Sequence, residues 1–137
     1  MPVFPSAEWV GAWVALANAS EEFRLAGQGW DGAACLVVRD VPGADGLVSY
    51  IRLVGRDGCW SEHVVSTNPQ LASDARMVLT AAYPVWKRLI TQELGPLAGI
   101  LQGQIRVEGH LPDLLKYRAS IITLCVLAGR MDTQFLQ

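Results

Sequence analysis

AGQGWDG, residues 26–32, matches the dinucleotide-binding pattern G-x-G-x-x-G at Gly27, Gly29 and Gly32. What surrounds it decides the fold. In a nucleotide site a strand leads into the glycines and a helix leaves them, so that pyrophosphate rests on the helix N-terminus. Here the order is reversed. Upstream, Asn18 or Ser20 is placed to cap a short helical run through Glu21, Glu22, Phe23 and Leu25, and Gly27 would end it in the left-handed conformation. Downstream, residues 33–39 are β-prone, and Trp30 enters that strand as a large apolar anchor. The glycines therefore read as a helix stop and a turn, with no βαβ unit around them.

Working outward, Ser6 caps a first helix whose apolar residues Trp9, Val10, Trp13, Leu16 and Ala17 recur at helical spacing. After the first strand, residues 47–54 and 59–65 supply two more, separated by turn formers at 42–46 and 55–58. Together they predict a three-stranded antiparallel meander. Residues 66–74 are polar, hold Pro69 and read as a loop; residues 76–82 read as a fourth strand. A helix follows from Tyr83, with Pro84 at its first position and Val85, Trp86, Leu89 and Ile90 on one face. Gly95-Pro96 breaks it, and Leu97, Ile100 and Leu101 form a brief helix that stops near Gly103. Residues 104–109 alternate, with Ile105 and Val107 on one side, as in a half-buried strand. Residues 111–128 make a long helix, weakly broken if at all, whose second half is apolar nearly all round and needs cover on more than one side.

The sum is an α+β fold in one domain, 1–137: about five strands in a mainly antiparallel sheet with helices packed on one face.

Composition narrows the function. Eleven basic and 13 acidic residues give a net charge of −2, and the arginines are scattered, so nothing points to a nucleic-acid backbone. Cys35, Cys59 and Cys125 are far apart in apolar segments with no zinc-ligand spacing, which fits small hydrophobes in a reduced, cytoplasmic compartment. The start MPVFPSAEW lacks the basic and apolar regions of a secretory signal. The longest apolar run, 119–129, falls short of the ~20 residues that span a bilayer. His63 and His110 are the two histidines, and no nucleophile elbow, zinc motif or phosphate loop accompanies them. Neither a metal nor a cofactor is expected.

What stands out is apolar excess: 51% hydrophobic residues, five tryptophans, and strands with apolar residues on both faces. Three outlets exist for it: a filled core, an oligomer interface, or a cavity for an apolar ligand.

The order of signals resembles the sterol carrier protein type-two family over nearly the whole chain. The matching stretches are Asn18-Ala-Ser-Glu-Glu-Phe23 with Gly29-Trp-Asp-Gly32, then Tyr83-Pro-Val-Trp86, then Gly99-Ile-Leu-Gln-Gly103 with Gln104-Ile-Arg-Val-Glu-Gly109 before the last helix. His110 stands where the family often has Asp, which caps a helix better. The stand-alone form without a peroxisomal address resembles a prokaryotic member. The resemblance implies a five-stranded sheet covered by helices, with a hydrophobic tunnel between them. It implies non-covalent binding and transfer of a lipid (fatty acid, acyl-CoA, phospholipid or sterol), without catalysis or metal. Mapped by pattern, the tunnel candidates are Phe23 and Trp30, then Leu36, Val38, Ile51, Leu53, Met77 and Leu79 on strands, and Trp86, Leu89, Ile100, Leu101, Leu124 and Leu127 on helices. A polar head would sit at the mouth, near Arg52 or Arg106. Two alternatives stay open: an accessory subunit, as a homodimer or beside an acyl-chain-handling enzyme, and a small enzyme using His63 and His110 in the same pocket.

Overall fold

A computed structural model describes residues 1–43 and 45–137. Helix α1 spans Ala7–Asn18, with Ser6 Oγ accepting from the Trp9 N–H at 3.0 Å. Helix α2 spans Glu21–Ala26, and Ser20, not Asn18, caps it. Gly27 does end α2, but at φ −92°, outside the left-handed region. Its reason for being glycine is space: a Cβ there would stand 2.8 Å from Gly58 Cα.

The main sheet contains β2 (Asp31–Arg39), β3 (Ser49–Arg56), β4 (Cys59–Ser66), β5 (Met77–Ala82) and β6 (Arg106–Gly109), in the order β4-β3-β2-β5-β6. The meander β2-β3-β4 is antiparallel as read from the sequence. Its second turn is tight: Asp57 and Gly58 both have positive φ, 50° and 80°, as a two-residue hairpin on twisted strands requires. The turn at 42–46 includes residue 44, which lies outside the described residues. Strand β5 runs parallel to β2 and β6 antiparallel to β5, so the sheet is mixed but mainly antiparallel. A separate parallel pair, β1 (Val3–Phe4) with β7 (Gln134–Phe135), joins the two ends of the chain. Two-residue strands carry no periodicity, and the sequence did not signal them.

Helices α3 (Tyr83–Ile90), α4 (Pro96–Leu101), α5 (Leu111–Lys116) and α6 (Arg118–Ala128) complete the chain. Pro84 is the second helical residue of α3, after Tyr83. The long final helix is interrupted at Tyr117, whose φ and ψ are −104° and 19°. α6 is not covered on all sides. Ser120, Thr123, Leu127 and Ala128 are buried, while Ile122 and Val126 are exposed, as are Leu111 and Leu115 of α5.

The core lies between the sheet and α1, α2, α3 and α6, where Trp9, Val10, Phe23, Val38, Ile51 and Leu53 are buried together. The opposite sheet face is closed over Cys35, Val37 and Val78 by part of the 66–74 loop, in which Pro69–Ala72 forms a 3-10 turn.

Candidate functional site

Two apolar cavities, each of about 70 Å³, lie between the sheet and its helices. Trp13, Leu36, Leu79, Ile121 and Leu124 line both, so these five side chains are the partition between them. The first cavity continues past Phe23, Trp30, Leu53, Trp60 and Met77 toward the β3–β4 hairpin, where Arg56, Gly58 and Cys59 border it. The second runs past Ile51, Trp86, Leu89 and Ile90 to Phe4 and Trp9.

Of the tunnel candidates, ten line these cavities: Phe23, Trp30, Leu36, Ile51, Leu53, Met77, Leu79, Trp86, Leu89 and Leu124. Four do not. Val38 and Leu127 are buried among core neighbours, and Ile100 is half-buried against the core. Leu101 is 88% exposed, because the brief helix α4 turns that side to solvent. Arg52 is also misplaced by the sequence reading. It points to the opposite sheet face, where Nη1 donates to the Leu71 and Ser73 carbonyls and meets Asp74. Arg106 sits exposed on the edge strand beside Glu108. Neither arginine lines either cavity.

Hydrogen bonds hold the tryptophans in place. Trp13 Nε1 donates to the Leu124 carbonyl at 2.9 Å, tying α1 to α6 across the partition. Trp86 Nε1 donates to the Val37 and Ala81 carbonyls, Trp30 Nε1 to Gly32, and Trp9 Nε1 to Thr133 Oγ1. Asn18, freed from capping, clamps the Trp60 backbone: Nδ2 donates to its carbonyl and Oδ1 accepts from its N–H, both at 2.8 Å. Gly55 makes room for the Trp60 ring, which a Cβ would meet at 2.6 Å. Trp60 Nε1, alone among the five indoles, is buried with no protein partner. Tyr117 Oη and Ser120 Oγ, on the same cavity, are in the same condition. A buried group left this way costs about 1–3 kcal/mol.

The helix break beside the cavity is fixed by aromatic and ionic contacts. Trp30 and Tyr117 meet edge to face at 5.1 Å, and the Arg76 guanidinium lies 4.7 Å from the Trp30 ring centroid. Arg76 also grips Asp113 of α5 with two hydrogen bonds, at 2.8 and 2.9 Å. Those bonds hold the Asp113 carboxyl below the usual carboxylate range. Arg76 and Asp113 were missed in the sequence, where 37 residues separate them.

Other chemistry is not assembled. His63 lies on edge strand β4, and His110 follows β6 at the other edge, so the two histidines share no site. His110 caps α5 without a side-chain hydrogen bond. Among the described residues, no three His, Cys, Asp or Glu side chains are placed to hold a metal ion. No described helix is long and apolar enough to cross a membrane.

No family model and no curated protein matches the sequence. Solved structures do match it. A crystal structure of sterol carrier protein 2 superposes with a TM-score of 0.83 at 22% identity, covering 93% of this chain and 98% of that one. The chain has the sterol carrier protein 2 fold. The solution structure of a conserved hypothetical protein from Thermus thermophilus gives a TM-score of 0.80 at 23% identity, covering 94% and 90% of the two chains. A palmitated sterol carrier protein 2-like protein from Aedes aegypti gives 0.56 at 17% identity over 85% and 94%. The mixed five-stranded sheet with its helices matches that fold. Gly109 takes φ +134° with the Arg76 backbone packed against it.

Proposed function

We propose that this chain is a single non-catalytic domain that binds and carries a lipid in the space between its sheet and helices. The observation that carries this reading is the pair of adjoining apolar cavities that share Trp13, Leu36, Leu79, Ile121 and Leu124. Each alone, at about 70 Å³, is small beside the ~300–1,000 Å³ of pockets that hold drug-sized ligands. A lipid therefore requires the partition to move, so that the two cavities join into one tunnel. Every methylene then buried contributes about 0.8 kcal/mol. Binding by Phe23, Trp30, Leu36, Ile51, Leu53, Met77, Leu79, Trp86, Leu89 and Leu124 is part of the proposal. The palmitated Aedes aegypti neighbour supports an acyl chain as one class of cargo. The cytoplasmic compartment remains part of the same reading.

Solvent extraction of gently purified protein, followed by mass spectrometry, tests it. A stoichiometric fatty acid, phospholipid or sterol is the expected result. An empty extract, together with no uptake of a fluorescent fatty acid, rejects it.

A second reading has its own support. Leu111, Leu115, Ile122 and Val126 leave an exposed apolar stripe along α5 and α6, which favours a second copy or an acyl-chain-handling enzyme as partner. Light scattering on a sizing column decides the self-association part, since a monomer has a mass of 14.9 kDa.

A further inference from the structure

Trp60 Nε1, Tyr117 Oη and Ser120 Oγ are three buried hydrogen-bonding groups on one otherwise apolar cavity, and among the described residues none makes a well-formed hydrogen bond, although the Arg76 guanidinium interacts with the Tyr117 hydroxyl. Tyr117 and Ser120 retain only 3% and 8% of their exposure. Tyr117 lies toward the hairpin end. The Gly29 N–H donates to Asp57 Oδ1 at the hairpin tip, and a Cβ on Gly29 would stand 3.3 Å from Tyr117 Oη. Ser120 stands in the first turn of α6, three residues after Tyr117, and both line the cavity. Trp60 packs against the cluster that holds Trp30 and Tyr117. Such groups are satisfied when buried, and a ligand or water in the cavity can satisfy these.

The charges around this end decide which ligand. Arg76 is already engaged by both carboxylate oxygens of Asp113. Lys116 Nζ lies 5.2 Å from the Tyr117 ring centroid and, at 3.5 Å from where a Gly29 Cβ would stand, sits beside the Tyr117 hydroxyl, but it does not line the cavity. Arg56 is the one charged residue that does, and its side chain is 78% exposed and 3.9 Å from Asp31. A carboxylate carried inside would lose its water at a lining whose one cation, Arg56, stays in solvent, whereas a hydroxyl or carbonyl needs only the three donors.

We infer that the hairpin end of the first cavity is a polar subsite for the uncharged oxygen head of an apolar ligand, an alcohol or an ester. The inference rests on the proposed lipid-binding reading and adds the head-group class to it. Trp60 donates to that oxygen, and the Tyr117 and Ser120 hydroxyls donate or accept as its geometry demands.

The test is a titration of the full chain with dodecane, 1-dodecanol and dodecanoate at pH 8, followed by tryptophan fluorescence. The alcohol is expected to bind at least about tenfold more tightly than the carboxylate. Tyr117→Phe and Ser120→Ala should each weaken 1-dodecanol about three- to tenfold, as the loss of one buried hydrogen bond predicts. Both should leave dodecane within about twofold, which also verifies that the variants fold. Dodecanoate binding as tightly as the alcohol overturns the inference, and so do variants that leave 1-dodecanol unchanged, provided that dodecane binds. If none of the three binds the folded wild-type chain, the lipid-binding reading itself fails and takes the subsite with it.

Discussion

Arg76, just before β5, and Asp113 on α5 form a two-bonded ion pair, Nε to Oδ2 at 2.8 Å and Nη2 to Oδ1 at 2.9 Å. The pair joins the helix that precedes the Tyr117 break to the sheet. Asp113 is buried, while Arg76 keeps 34% of its side chain in water. Removing the carboxylate from a fully buried pair costs about 3–5 kcal/mol; with Arg76 partly hydrated, Asp113→Asn should cost about 1–3 kcal/mol in a urea melt.

The same pair sets an acid dependence. Arg76 lowers the folded-state pKa of Asp113 below its unfolded value. Its contribution is therefore complete above the unfolded pKa, near 3.9, and is lost as pH falls through the folded pKa. The stability gap between wild type and Asp113→Asn should be flat above about pH 5 and should close below about pH 4. Urea melts at stepped pH measure it, and a gap that persists undiminished at pH 2 would rule out the ion pair as its source.

Much of this fold is legible locally, and the reasons for the remainder are physical. Ser6 and Ser20 sit where caps belong, and the β2-β3-β4 meander follows from alternation and turn residues. Pairing of β5 with β2 is not local: it joins Ala34 to Met77 across two other strands, and nothing in either segment encodes the partner. Leu101 looks like any core leucine in a short apolar run, because a helix of six residues is too brief for its buried face to be read from spacing. Arg52 alternates correctly between Ile51 and Leu53, and that alternation itself places it on the face away from the cavities. Ten of the lining residues were legible because an inward strand position is apolar whether it meets a cavity or a neighbour. Trp13, Trp60 and Ile121 were missed as lining residues for that same ambiguity.

Gly27→Ala probes the approach of α2 to the hairpin. The backbone at φ −92° accepts alanine without strain, so the effect is steric. The new methyl would meet Gly58 Cα at 2.8 Å, and the hairpin backbone must shift. A loss of about 1–3 kcal/mol is expected, the usual range for an added methyl in a packed site. Gly58→Ala should be worse, since it adds the strain of φ +80° to contact with the Arg24 backbone. Equal stabilities of the two variants by denaturant melt would contradict this ordering.

The thiols should separate by reactivity. Burial raises Cys35 to about 11 and Cys125 to about 12, while Cys59 is exposed at the hairpin end of the first cavity. At pH 8 the two raised thiols are scarcely ionised, and Cys59 is the one of the three that solvent reaches freely. A maleimide or disulfide reagent should modify Cys59 at least about 100-fold faster than either of the others in the native protein. All three should react alike in denaturant. Rapid native labelling at Cys125 would mean that the second cavity opens readily to water.

Filling the first cavity should weaken lipid binding. Met77→Trp places a larger ring among Trp30, Leu79 and Tyr117, where the vacant volume can take part of it. Overpacking is expected to cost about 1–3 kcal/mol and leave a cooperative melt. Dodecane affinity should fall about tenfold or more, whereas Leu101→Lys, at an 88% exposed position, should change neither property. An unchanged affinity in folded Met77→Trp would place the ligand elsewhere.

Leu124→Ala should act in the opposite sense, because Leu124 belongs to the partition between the cavities. Its backbone carbonyl still accepts the Trp13 indole N–H after truncation, so the tie between α1 and α6 survives. What disappears is the side chain that both cavities share. Leu124 is half-buried, so the cost should lie toward the lower end of leucine truncations, at about 1–3 kcal/mol. In exchange the two volumes become continuous without a rearrangement of the partition, and the conformational penalty on a long ligand falls. The variant should therefore improve binding of hexadecane relative to decane, compared with wild type, while melting at lower denaturant. Parallel titrations with the two alkanes give the ratio directly. A ratio equal to that of wild type would mean that a long chain never crosses between the cavities, and the ligand would then be confined to one of them.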